Sequence, residues 1–197
     1  MERISERINM KKDKQKIKKG DYGYLQKNKL IQLTISLGLI IMVMIIFYTG
    51  YIKYGNTKNI FTVLAVVSVI PMAKFIVGYL VIAKYKSLSQ TEYEDLTSNI
   101  GQDMLYDLII SSTNKVYNAK VSIVKDNSVY LYMSDKKYNK NDIEKYVRTF
   151  LETECKVTSV KVFNELSEFK KMAGKLEKNE TGKYDDRIRK LLLIYSL

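Results

Sequence analysis

Apolar and polar positions divide the chain into three unequal parts. From Leu30 to Ile52 there are 23 residues without a charge, and from Asn59 to Ala83 there are 25 with one charge, Lys74. About 20 mostly apolar helical residues cross a hydrocarbon core. A spanning hairpin must satisfy its own backbone groups, which helices do. The pattern therefore predicts a transmembrane helical hairpin, 30–52 and 59–83, with a tiny loop between its arms. Its apolar core is too long for a signal peptide, and a second span follows at once. A core pair in a soluble protein would keep a polar face, which these runs lack.

Beyond Ala83 the period changes. Thr91 to Ile100 reads as a short helix and Met104 to Ser112 as a buried strand. Val116 to Lys125 and Ser128 to Ser134 alternate, with Asp126-Asn127 as a hairpin turn between them. Asn141 is expected to cap a helix, with Glu144 as its capping-box partner. The apolar face of that helix is Ile143, Tyr146, Val147, Phe150 and Leu151. A fourth strand follows at Val157 to Phe163. Leu166, Phe169, Met172, Ala173 and Leu176 mark another helix. After a polar linker, Lys178 to Lys183, a last helix carries Ile188, Leu191, Leu192 and Tyr195. The fold class expected for 84–197 is α/β (α+β) with a four-stranded sheet. The domains are then a basic arm at 1–29, the hairpin at 30–83 and an α/β domain at 84–197.

Charge orients the hairpin. Residues 1–29 hold ten Lys or Arg, whereas the hairpin loop holds Lys53 and Lys58. The positive-inside rule puts both termini in the cytoplasm and the loop outside. Tyr48, Tyr51 and Tyr54 suit an outer aromatic belt, and Tyr79 and Tyr85 an inner one. The expected location is the cell membrane, as a multi-pass protein. The net charge of +12 is uneven. Residues 1–29 carry +6 and residues 84–197 only +3. Lys11, Lys12, Lys14, Lys16, Lys18 and Lys19 form the cluster beside the first span. Such a cluster fixes topology and attracts anionic lipid. Nucleic acid is not the expected partner, because no aromatic residues interleave the lysines of the arm.

Composition removes several chemistries. The chain has no His and no Trp, and one Cys, Cys155. An intramolecular disulfide, a His-dependent triad and the usual zinc sites are excluded within one chain. Cys155 reads as a small buried residue. Gly174-Lys175 and Gly182-Lys183 lack the leading glycine and the following Ser or Thr of a phosphate loop. Asp185, Asp186, Arg187, Arg189 and Lys190 read as a solvated helix start whose acids suit the dipole. Tyr130, Tyr132 and Tyr138 lie near Lys136, Lys137 and Lys140, a combination that also stacks bases. Alternation instead packs Tyr130 and Tyr132 on the second face of the sheet.

Two sets of residues remain as candidate sites. Lys74 falls near the bilayer midplane, where a charge costs about 2.5–3.5 kcal/mol on insertion scales. Hydrogen bonding to Ser36 or Gln32 of the antiparallel span, or snorkelling, would relieve it. Pro71 and Gly78 share its face and mark it for packing. The second set is Asp107, Asp126 and Asp135. The order helix, three strands, helix, strand resembles the core of restriction-endonuclease-like nucleases. That resemblance implies Mg²⁺ held by strand carboxylates with an Asp/Glu-x-Lys signature. Asp135-Lys136-Lys137 matches it as Asp-x-Lys, with Lys137 as the lysine. It falls after the strand, at an expected turn, and no Glu accompanies it. The expectation is therefore a non-catalytic bacterial membrane-anchored scaffold, assembly or regulatory subunit that uses no cofactor and binds a protein partner or a second copy. The alternatives are a membrane-tethered Mg²⁺-dependent nuclease and a small transport component acting as an oligomer.

Overall fold

The computed structural model describes residues 17–100, 103–112, 115–135, 137–176 and 182–197. Lys11, Lys12, Lys14 and Lys16 of the basic cluster lie outside the described residues. The described chain forms α1 (Tyr24–Tyr54), α2 (Ile60–Ala83), α3 (Gln90–Asn99), β1 (Met104–Ser111), β2 (Val116–Lys125), β3 (Ser128–Tyr132), α4 (Lys140–Glu152), β4 (Ser159–Phe163), α5 (Leu166–Ala173) and α6 (Asp185–Tyr195). It divides into two compact units. One is 25–86, and the other joins the stretch up to Tyr24 with 87–197.

The first unit is the helical hairpin. Both helices are long and apolar enough to cross a membrane. α1 begins six residues before the apolar run, because Tyr24 to Lys29 contain no Pro or Gly and include the helix formers Leu25, Gln26, Lys27 and Lys29. Most of the large apolar side chains exposed anywhere in the described chain lie on α1 and α2. The helices approach at two small residues. A Cβ on Gly50 would lie 2.4 Å from Phe61 Cβ, and one on Gly78 would lie 2.8 Å from Gln32 Oε1. Close backbone approach at small residues is how helices associate in the absence of a hydrophobic drive. Asn59 caps α2 by accepting from the Thr62 amide at 3.0 Å. At the far end the Lys29 ammonium donates to the carbonyls of Ala83, at 2.8 Å, and Tyr85. It satisfies carbonyls that the end of α2 leaves open.

The second unit is a three-layer α/β/α sandwich. Its four-stranded sheet has the order β1-β2-β3-β4, with β1–β2 and β2–β3 antiparallel and β3–β4 parallel. The hairpin turn is Asp126-Asn127, with φ of 48° and 52°. Two left-handed residues make the tight turn that suits strand twist, and Asp and Asn tolerate it. α4 supplies the crossover needed to bring β4 parallel to β3. Ile143, Val147, Phe150 and Leu151 of α4 join Ile188, Leu191 and Leu192 of α6 on one face. Leu96 of α3 and Phe169 and Ala173 of α5 cover the other. Cys155 is buried in the first layer. Tyr130 and Tyr132 pack in the second, and Tyr138 lies edge-on to Tyr117 at 5.1 Å in the first, so these tyrosines serve packing.

Three local features differ from the sequence expectation. α4 starts at Lys140, and its cap is Asn139, which accepts from the Asn141 amide at 3.0 Å. Asn139-Lys140-Asn141 offers two equivalent caps, and the earlier one adds a residue pair to the helix. Glu144 is thereby released from capping and accepts from the Val162 amide of β4 at 2.8 Å. An edge strand leaves alternate amides unpaired, and this carboxylate takes one of them. The opposite edge is covered too. Leu197 donates to the Ile109 carbonyl at 2.8 Å, and Ser196 bridges Ile110.

The third difference is a change of face inside β1. Met104 and Tyr106 pack in the α3/α5 layer, while Leu108 and Ile110 pack in the α4/α6 layer. A regular strand keeps residues of one parity on one face. Here Asp107 adopts φ 56°, a left-handed conformation that inverts the pleat. Its neighbour β2 follows, with Ala119 in one layer and Val121 in the other. The pairing stays in register across the inversion, Tyr106 opposite Val121 and Leu108 opposite Ala119.

Candidate functional site

The pleat inversion at Asp107 builds the most distinctive cluster in the molecule. The Asp107 side chain is buried, 3% exposed, and its Oδ2 accepts from the Gly23 amide at 2.9 Å. Gly23 has φ 81°, which a glycine adopts without strain. The turn at 19–24 is therefore held on the sheet by the residue that inverts the strand. The Tyr106 amide donates to the Gly20 carbonyl at 2.7 Å, and the Lys19 ammonium donates to the Ser196 carbonyl. Gly20 itself fits closely, for a Cβ there would lie 2.8 Å from Leu193 Cδ2.

Tyr22 completes the attachment. Its ring stacks on Tyr93 at 4.0 Å, and Tyr106 stands edge-on to both, at 6.1 Å and 5.2 Å. Stacked and edge-to-face aromatic pairs add about 0.5–1.5 kcal/mol beyond burial. The Tyr22 hydroxyl donates to the Leu88 carbonyl at 3.1 Å. This bond joins the stretch of chain that enters the hairpin to the stretch that leaves it. Burial, then the Asp107 carboxylate and Tyr93, hold the Tyr22 phenol above the usual tyrosine range. Burial raises Tyr106 as well. Burial lowers Lys19 below the usual lysine range. A cleft of about 320 Å³ lies here, lined by Ile17, Gly20, Asp21, Tyr22, Tyr93, Met104 and Tyr106.

Asp107 has a structural assignment that its replacement should reveal. Asn retains the acceptor and tolerates left-handed backbone, whereas Ala does neither. We expect Asp107→Asn to shift domain stability by less than about 1 kcal/mol, and Asp107→Ala to lower it by about 2–3 kcal/mol. Thermal melts of the two variants side by side check this ordering.

The carboxylates read from the sequence do not share a site. Asp107 is in the sheet, Asp126 is exposed in the hairpin turn, and Asp135 accepts from the backbone amide of Lys137, itself exposed. Among the described residues, no three His, Cys, Asp or Glu side chains are grouped to hold a metal ion. The charge run at the start of α6 differs from its expected solvated state. Asp185 is 1% exposed. Its carboxylate accepts from the amides of Asn127 at 2.7 Å, Asp126 at 3.1 Å and Gly182 at 2.7 Å. Asn127 Oδ1 in turn accepts from the Tyr184 amide at 2.8 Å. Arg189 reaches Asp103 at 3.0 Å, and Arg187 reaches Glu154 at 3.4 Å. Asp186 and Lys190 remain exposed.

The candidates on the two long apolar helices are also separated. Ser36 is buried, and its hydroxyl donates to the Gln32 carbonyl at 2.7 Å. The Gln32 amide donates to Asn28 Oδ1 at 3.3 Å. Gly78 faces Gln32, whereas Pro71 and Lys74 are exposed on α2. No hydrogen bond or ion pair joins Lys74 to any described residue; the Ser36 hydroxyl and the Gln32 amide nitrogen bond within α1, and Gln32 Oε1 is buried against Gly78 without a hydrogen-bond partner among the described residues. Of the basic cluster, Lys18 is exposed and Lys19 is drawn onto Ser196.

Sequence reasoning did not single out Tyr22, Tyr93 or Tyr106, and it read Asp185 as a solvated residue of a helix start. In comparison with known proteins, the chain matches no family model, no curated sequence and no solved structure.

Proposed function

We propose that this chain is a two-pass bacterial membrane protein with both termini in the cytoplasm and residues 53–58 outside. In this reading its α/β domain is a non-catalytic scaffold, assembly or regulatory module that holds another protein beside the inner leaflet. Anionic lipid is the second partner, through the basic arm. The excess of Lys and Arg before α1 supports the orientation. The observation that carries the reading is the double attachment of the domain. Its chain leaves for the hairpin after Tyr24 and returns at Ser87, and Tyr22 bonds Leu88 across the two connections. The domain is thus joined to the hairpin twice, and the residues that flank both junctions belong to its own fold.

The test is capture of the full chain from detergent-solubilised membranes. We expect a protein to co-purify in fixed ratio, and to do so equally with Asp107, Asp126 and Asp135 all changed to Asn. The purified chain should not cleave DNA or RNA in Mg²⁺. Cleavage by clean protein, lost in Asp135→Asn, would replace this reading with a tethered nuclease.

A further inference from the structure

Lys74 is a cation on the outer surface of the hairpin. It lies about 14 Å along the axis from the Ala83 end of α2 and about 21 Å from the Ile60 end, at ~1.5 Å per residue. Its four-carbon stem covers only part of the shorter distance. Its surroundings on α2 are apolar, with Val67, Ile70 and Val77 all exposed. Pro71 lacks the amide that would bond the Val67 carbonyl, which adds an acceptor to the same stretch. No described residue of the chain bonds the ammonium. Neither α1 nor α2 contains an Asp or a Glu. A second copy of the hairpin therefore brings more positive charge and no carboxylate to this depth.

We propose that the Lys74 face of α2 is a docking surface for a transmembrane helix of a different protein, one that carries an Asp or Glu near mid-bilayer. The inference rests on the membrane-spanning reading of the hairpin. An ion pair there offsets the cost of a lone charge in hydrocarbon, and polar residues in spans pair with one another for this reason. The exposed Val67, Ile70 and Val77 supply apolar contact around the pair. The partner is selected by sign, because a basic or wholly apolar span leaves the ammonium unmatched.

The full chain, with Cys155 replaced by Ser and a fluorophore on a single cysteine placed at the exposed Asn56, is reconstituted in zwitterionic phosphatidylcholine vesicles. Alkaline extraction confirms insertion. Association is read by energy transfer to two synthetic spanning peptides, one of leucines alone and one with a single central aspartate. We expect the aspartate peptide to associate about tenfold more tightly than the leucine peptide. Lys74→Leu should abolish that preference, and Lys74→Arg should retain most of it. Equal association of the two peptides, or a preference unchanged in Lys74→Leu, would overturn the proposal. Energy transfer between labelled copies without peptide, lost in Lys74→Leu, would assign the face to self-association instead. A preference for the aspartate peptide that is present in phosphatidylcholine but lost in a second set of vesicles containing anionic phosphatidylglycerol would assign Lys74 to headgroups instead. A chain that extracts at alkaline pH would remove the membrane reading and this inference together. An inserted chain without selectivity would remove this inference alone.

Discussion

Replacing Asp185 with Ala should unfold the α/β domain under conditions where the parent chain is stable. One buried carboxylate accepts from three backbone amides, two in the β2–β3 turn and one at Gly182. Hydrogen bonds to charged groups contribute about 1.5–3 kcal/mol each, and buried donors left unpaired add a desolvation cost. The loss should therefore be about 3–5 kcal/mol, even after recovery of the cost of burying the carboxylate. For a domain of this size that is a fall in melting temperature of about 10 °C or more. Asp185→Asn keeps one acceptor but turns a donor toward donors, so it should fall between. The packing around the carboxylate is close, since a Cβ on Gly182 would lie 2.5 Å from the Asn127 amide nitrogen and 2.7 Å from Asp185 Oδ1. A melt of Asp185→Ala within about 1 °C of the parent chain would show that the turn holds itself.

The second large effect concerns the segment ahead of α1. A fragment beginning at Ser87 contains the sheet and its four helices but lacks residues 17–24. It loses the Tyr22–Tyr93 stack, the Gly23–Asp107 bond, the Tyr106–Gly20 bond and the Lys19–Ser196 bond. Asp107 then stays buried in left-handed backbone without the amide that matches it. We expect this fragment to be about 3 kcal/mol less stable than a chain in which 17–24 is joined to Ser87 by a short Gly-Ser linker replacing the hairpin. Urea unfolding of both measures the gap. Equal midpoints would mean that the segment rests on the domain without stabilising it.

The parts of the fold that sequence made legible are those in which periodicity dominates. The two apolar runs gave the hairpin, and alternation gave β2 with both of its ends. The α4 face was legible from Ile143, Val147, Phe150 and Leu151. The failures are long-range or conformational. β1 read as a continuous buried strand because its apolar run hid the switch of face at Asp107, whose φ no pattern records. Asp185 read as a solvated first-turn acid, since burial depends on a hairpin turn almost sixty residues earlier in the chain. The attachment at 17–24 looked like a polar arm, because its partners Tyr93, Asp107 and Ser196 are remote in sequence. Lys74 stood out at once, but the sequence offered Ser36 and Gln32 as partners. Their local bonds within α1, Ser36 to Gln32 and Gln32 to Asn28, became visible only in three dimensions.

The central claim is that the hairpin spans the membrane and presents the α/β domain on the cytoplasmic side. Single-cysteine labelling of the full chain in intact cells tests it most directly. Cys155 is replaced by Ser, and one cysteine is placed at Asn56 in the hairpin loop or at the exposed Lys145 of α4. A membrane-impermeant maleimide should label the position-56 variant in whole cells, and the position-145 variant only after lysis. Labelling at 145 with protection at 56 would reverse the orientation. Protection of both in whole cells with extraction of the chain by alkaline carbonate would contradict the membrane hairpin itself.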